Sequence, residues 1–71
     1  MSLGEDRVRI KFNPSNHSLV QEIKVKAAEL IDVLESARLA GSQDKEQQRL
    51  WALAQTHVED SAMWGVKAAT F

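Results

Sequence analysis

The hydrophobic positions of this chain change period once, from two to three-and-a-half, and the change divides it into an arm and a hairpin. Residues 7 to 12 read Arg-Val-Arg-Ile-Lys-Phe. This alternation predicts a short strand or extended arm with Val8, Ile10 and Phe12 on one side and Arg7, Arg9 and Lys11 on the other. A lone strand is unstable in water, so its apolar side needs a helix or another chain to lie against. Asn13-Pro14-Ser15-Asn16 then breaks the pattern, because the residue before proline is pushed out of the helical region and Asn and Ser favour turns. Residues 1–17 are therefore expected to form an extended N-terminal arm and turn.

From Ser18 the period lengthens. Ser18 and Gln21 have capping-box spacing, and Ile23, Ala27, Leu30, Leu34 and Ala37 recur at steps of three and four, predicting a helix over about 18–40. Val20, Ile31 and Val33 widen its stripe beyond what one facing helix covers, so part of it must meet another protomer. Gly41 is the expected residue just past the helix end, and Ser42 or Asp44 the expected cap of a second helix over about 44–70. Leu50, Leu53, Ala54, Val58, Ala62 and Met63 form the expected face of that helix, with Trp51, Trp64 and Val66 around its sides. A connection of a few residues forces the two helices antiparallel. The expected fold is all-α: a two-helix hairpin, 18–71, with a short extended arm, forming one domain.

Size decides what this hairpin needs. At 71 residues a chain buries only about 60% of its unfolded surface, and small scaffolds need disulfides, a metal or a partner chain. Cysteine is absent, and His17 and His57 are the only histidines, without ligand-like spacing. Oligomerisation is the remaining route, and neither a metal nor a cofactor is expected. Nine basic and ten acidic residues give a formal charge of −1, which excludes a global field for holding duplex nucleic acid and leaves only local recognition of phosphate. No apolar run approaches the roughly 20 residues of a membrane span, and no signal-peptide core is evident. The expectation is a cytoplasmic protein without a membrane partner.

Candidate chemistry is sparse. Arg7, Arg9 and Lys11 would place three cations within roughly 14 Å of extended chain, suited to one or two phosphates; the plainer reading is a charged side guarding a strand edge. Phe12 fits a core anchor or a stacking platform for a base. Lys24 and Lys26 lie early in the first helix, where the dipole favours an anion over a cation; each also fits a solvated face. Lys67, near the second helix's end, is stabilising there without any ligand. Thr56-His57-Val58-Glu59-Asp60-Ser61 holds acid–base groups, yet neighbours on one helix cannot converge as a hydrolase triad without an oxyanion hole. Thr56, His57 and Asp60 fit a polar rung across an oligomer interface instead. An enzyme is not expected.

Three segments in this order carry a resemblance: an arm ending in Phe12-Asn13-Pro14-Ser15, then Ile23-Lys24-Val25-Lys26-Ala27-Ala28-Glu29-Leu30-Ile31-Asp32, then Thr56-x-x-Glu59-Asp60-x-x-Met63-Trp64-x-x-Lys67-Ala68. Over about residues 12–70 the chain resembles the helical-hairpin domain of bacteriophage cyclic-nucleotide sponges, the group of the anti-CBASS sponge and the Thoeris anti-defence sponge. The resemblance implies a non-catalytic immune-evasion protein of the infected bacterial cell. It would withhold cyclic di- or trinucleotides, or a cyclic ADP-ribose isomer, and would assemble as interlocked dimers joined into hexamers. It also implies that Phe12 stacks on a base, that Lys24 meets phosphate, and that Lys67 matches a basic residue of a separate trinucleotide site. Lys26, Arg9, Lys11 and Thr56 complete the candidate ligand-binding set. Phe12 stands where the family has tyrosine, so it stacks without donating a hydrogen bond. The Thoeris sponge's β-domain has no counterpart here, which favours cyclic oligonucleotides. The alternative from residue pattern alone is an oligomeric interaction hairpin without a nucleotide ligand.

Overall fold

The computed structural model describes residues 2–8 and 18–71. Three helices follow in order, α1 (Leu3–Val8), α2 (Ser18–Ala40) and α3 (Lys45–Ala69), and no strand occurs among the described residues. None of these helices is long and apolar enough to cross a membrane.

The hairpin of α2 and α3 is antiparallel, since early residues of α2 meet late residues of α3 (Ile23 and Gly65) and late meet early (Arg38 and Gln48). Its connection is built from local hydrogen bonds. Asp44 caps α3 by accepting the Gln47 amide at 3.1 Å, and the Ser42 hydroxyl accepts the Asp44 amide at 3.0 Å. Gln48 then ties the two helix ends together, its side-chain nitrogen donating to the Arg38 and Ser42 carbonyls. Gly41 ends α2 without entering the left-handed region, and a Cβ there would stand 3.1 Å from the Ala37 carbonyl oxygen.

The beginning of the chain departs from the expected extended arm: residues 3–8 are helical. The reason is a capping box at the very start. The Ser2 hydroxyl accepts the Glu5 amide (3.1 Å), and the Glu5 carboxylate accepts the Ser2 amide (3.0 Å). A six-residue helix is too short to persist alone, and α1 is held by docking on α2. The Gly4 amide donates to Asp32 Oδ1 at 2.7 Å, and a Cβ on Gly4 would lie 1.9 Å from the Ala28 carbonyl oxygen. Only glycine permits that approach. Arg9, Ile10, Lys11 and Phe12 lie outside the described residues, so the rest of the alternating segment does too.

Docking of α1 also moves the core. Among the described residues the buried hydrophobics are Val20, Ala28 and Ile31 on α2 and Ala62 on α3. On α3 the inward stripe is Trp51, Gln55, Val58, Ala62, Val66 and Ala69, rotated from the expected face. Leu50 (52% exposed), Leu53 (40%), Met63 (56%) and Trp64 (57%) are turned outward, as are Leu19, Leu30 and Val33 on α2. The sequence rule placed these leucines inside because it could not anticipate a glutamine in the inward stripe.

Candidate ligand groove

Arg7, in the last turn of α1, crosses to α3. Its Nη1 donates to Gln55 Oε1 (3.0 Å); its Nη2 donates to Thr56 Oγ1 (3.3 Å) and pairs with Glu59 Oε1 (3.1 Å). Gln55, only 5% exposed, is satisfied on both sides, because its Nε2 donates to Glu35 Oε1 at 3.0 Å. Glu35 in turn receives Arg38 through two parallel bonds, Nε to Oε1 at 2.8 Å and Nη2 to Oε2 at 2.7 Å. The Arg38 and Gln55 donors, in that order of weight, hold the Glu35 carboxyl down at about 2 against an ordinary value of 4.5, and the carboxylate raises Arg38 reciprocally. Arg38 Nη1 finally donates to Gln48 (3.2 Å). A continuous polar relay thus runs from α1 through the hairpin's interior to its connecting loop.

Beside Arg7 opens a groove of about 660 Å³, lined by Arg7, Val8, Lys24, Thr56, His57, Glu59, Asp60, Ala62, Met63 and Val66. Its size is that of a small-molecule site, and its floor mixes apolar contact with convergent polar groups. α2 supplies Lys24, α1 supplies Arg7, and α3 supplies the hydroxyl and both carboxylates. A second groove of about 530 Å³ lies between α2 and α3, lined by Ile23, Lys26, Ala27, Leu30, His57, Val58, Ser61, Ala62 and Gly65. It is more apolar, and His57 borders both.

Of the residues singled out from sequence, the groove brings together Arg7, Lys24, Thr56, His57 and Asp60. Lys26 lines the second groove, where its Nζ is 3.7 Å from Glu29. Lys67 stands apart near the end of α3, its Nζ 5.3 Å from the centre of the Trp64 ring. Phe12, Arg9 and Lys11 are outside the described residues. Thr56 is bonded within its own chain through Arg7, and His57 and Asp60 line the groove beside it. Among the described residues no group of three or more His, Asp or Glu is placed to hold a metal ion.

Sequence reasoning weighed Arg7 as one of three phosphate-contacting charges on a strand but left it out of the candidate ligand-binding set, and it passed over Gln55 and Glu35 altogether. Two signals were present. Ser2-x-x-Glu5 has the spacing of a helix start, and Gln55 interrupts an apolar stripe at helical spacing, where a polar side chain must find partners.

Residues 5–70 match the family model described as Acb2/Tad1, hairpin domain. No curated protein and no solved structure gives a significant match. With nearly the whole chain covered, from the third residue of α1 to the end of α3, the protein belongs to the Acb2/Tad1 hairpin-domain family, the family of phage anti-CBASS and Thoeris sponges.

Proposed function

We propose that this protein binds cyclic di- and trinucleotide immune signals and sequesters them without turning them over, as a phage anti-defence sponge acting in the infected cell. The observation that carries the reading is the groove at the α1–α2–α3 junction, where Arg7, Lys24 and the Thr56 hydroxyl converge beside apolar Val8, Met63 and Val66 in a chain of the sponge family. A small cyclic dianion asks for two or three cations, an apolar or aromatic platform for its bases and exclusion of water. Lys24 and Arg7 supply the cations, Thr56 a hydroxyl, and Phe12, a few residues beyond α1, the stacking platform. Lys67 with Trp64, outside the lining of this groove, fits a separate trinucleotide contact. Lys26, Arg9 and Lys11 contribute charge around the sites.

The same reading makes the protein an oligomer of interlocked dimers, completed as a hexamer. Leu50, Leu53 and Trp64 form an exposed stripe on the side of α3 turned away from its core residues, and Leu19, Leu30 and Val33 form another on α2. Apolar stripes of this kind seek cover in a partner copy.

Thermal unfolding of the purified protein with cyclic di-AMP, cyclic di-GMP, cyclic GMP–AMP and cyclic tri-AMP tests the function, with ligand recovered and quantified after heating. A ligand at about 100 times its Kd adds roughly 2.7 kcal/mol per site, and recovery of intact nucleotide distinguishes sequestration from hydrolysis. If no member of the panel raises Tm in a well-folded oligomer, the apolar stripes favour an interaction hairpin without a nucleotide ligand. If the nucleotide returns degraded, the sponge reading is wrong.

A further inference from the structure

Arg7 is already paired. One of its terminal nitrogens is anchored from behind by Gln55, which is buried and itself tied to Glu35 and, through Glu35, to Arg38. The other points along the groove wall and is taken by Glu59 and Thr56. These two ends differ in how easily they exchange. Releasing Gln55 would leave a buried amide without its partner, whereas the Glu59 side chain is 41% exposed and touches Arg7 through a single oxygen, so it swings into water at small cost.

Resting on the proposed function, we propose that Glu59 is a built-in competitor for the ligand's phosphate, occupying Nη2 of Arg7 in the free protein and releasing it when an anionic cyclic nucleotide binds. Gln55 keeps the guanidinium in place during the exchange, so Arg7 meets the phosphate without reorienting. The Glu59 carboxylate offsets one of the groove's two cations, so a simple anion gains little there, and only a ligand that adds stacking and a second phosphate contact displaces it. Thr56 Oγ1, 3.3 Å from the same nitrogen, is placed to stay with Arg7 or turn to the phosphate.

The test is calorimetric binding of whichever member of the four-nucleotide panel binds the wild-type protein tightest, to wild type, Glu59→Gln, Arg7→Gln and the double variant. Glu59→Gln should tighten binding about two- to fivefold, the range of one exposed ion pair. Arg7→Gln should weaken it roughly tenfold or more. In the Arg7→Gln background, Glu59→Gln should bring no gain. An equal gain in both backgrounds would mean that Glu59 acts only through its field, and weaker or unchanged binding by Glu59→Gln would make the pair a structural clasp; either overturns the handover. Should the variants unfold, the Glu59 carboxyl carbon resonance of the wild-type protein decides. It should move towards that of a free carboxylate as nucleotide is added, and its failure to move would overturn the handover. Wild-type binding settles the proposed function separately, since a nucleotide can bind without any exchange at Arg7; absence of all binding would remove both.

Discussion

Glu35 is the residue on which the interior relay turns. Its carboxylate accepts Arg38 and Gln55 together, and its pKa of about 2 lies below the ordinary 4.5. Because the folded value is depressed, the stabilisation it contributes is fully present above about 4.5 and is lost as pH falls through that value towards about 2. Thermal unfolding measured across this window should show Tm falling with acid in the wild-type protein and a flatter profile in Glu35→Gln, which has no carboxylate to titrate. An identical slope in both would assign the acid sensitivity to another group. The two lysines of early α2 separate at the same scale. Lys24→Ala should weaken nucleotide binding roughly tenfold or more through loss of a charge-assisted contact, while Lys26→Ala, in the other groove, should change it far less. Equal losses in a binding titration would place the ligand across both grooves.

At the scale of elements, α1 is the part whose existence depends on the others. Its capping box satisfies its first amides, yet six residues make no stable helix. Asp32 and the Ala28 backbone fix it to α2 through Gly4, and Arg7 fixes it to α3. Gly4→Ala puts a methyl group into the Ala28 carbonyl and should cost about 1–3 kcal/mol, read as a drop in Tm together with increased amide exchange across residues 3–8. Because Arg7 travels with α1, the same variant should weaken nucleotide binding. Unchanged exchange would show that α1 holds its place by other contacts. α3 is different in kind: its cap at Asp44, its acidic first turn and Lys67 in its last turn are all local features that agree with the helix they belong to.

For the whole molecule, four buried hydrophobics among the described residues are a thin core, and the remaining apolar surface is arranged in stripes. Leu53→Lys should scarcely disturb a lone hairpin, because Leu53 is already 40% exposed and lysine is a good helix former. In an assembly it buries a charge against apolar neighbours and should break the contact. Light scattering coupled to size-exclusion chromatography would then report a smaller species than wild type. An unchanged mass would show that Leu53 takes no part in a contact between copies.

The sequence by itself determined the hairpin: the helical period from Ser18 onward, the Gly41-to-Asp44 break and the Asp44 cap are each read from residues a few positions apart, and each is satisfied locally. It also carried the family pattern across both long helices. Three matters waited for the tertiary structure. The alternating run at residues 7–12 suggested an extended arm, and the Ser2–Glu5 box that starts a helix went unread, because the dock that stabilises α1 lies far along the chain at Ala28 and Asp32. The inward face of α3 was misjudged by the width of one stripe, because Gln55 is buried only where Glu35 and Arg7 are both present to satisfy it. The groove itself joins Arg7 to Thr56 and Glu59, 49 and 52 positions away, and periodicity carries no information over such separations. Local rules fix which segments are helical; only packing between segments decides which of their polar groups are buried, paired and available to a ligand.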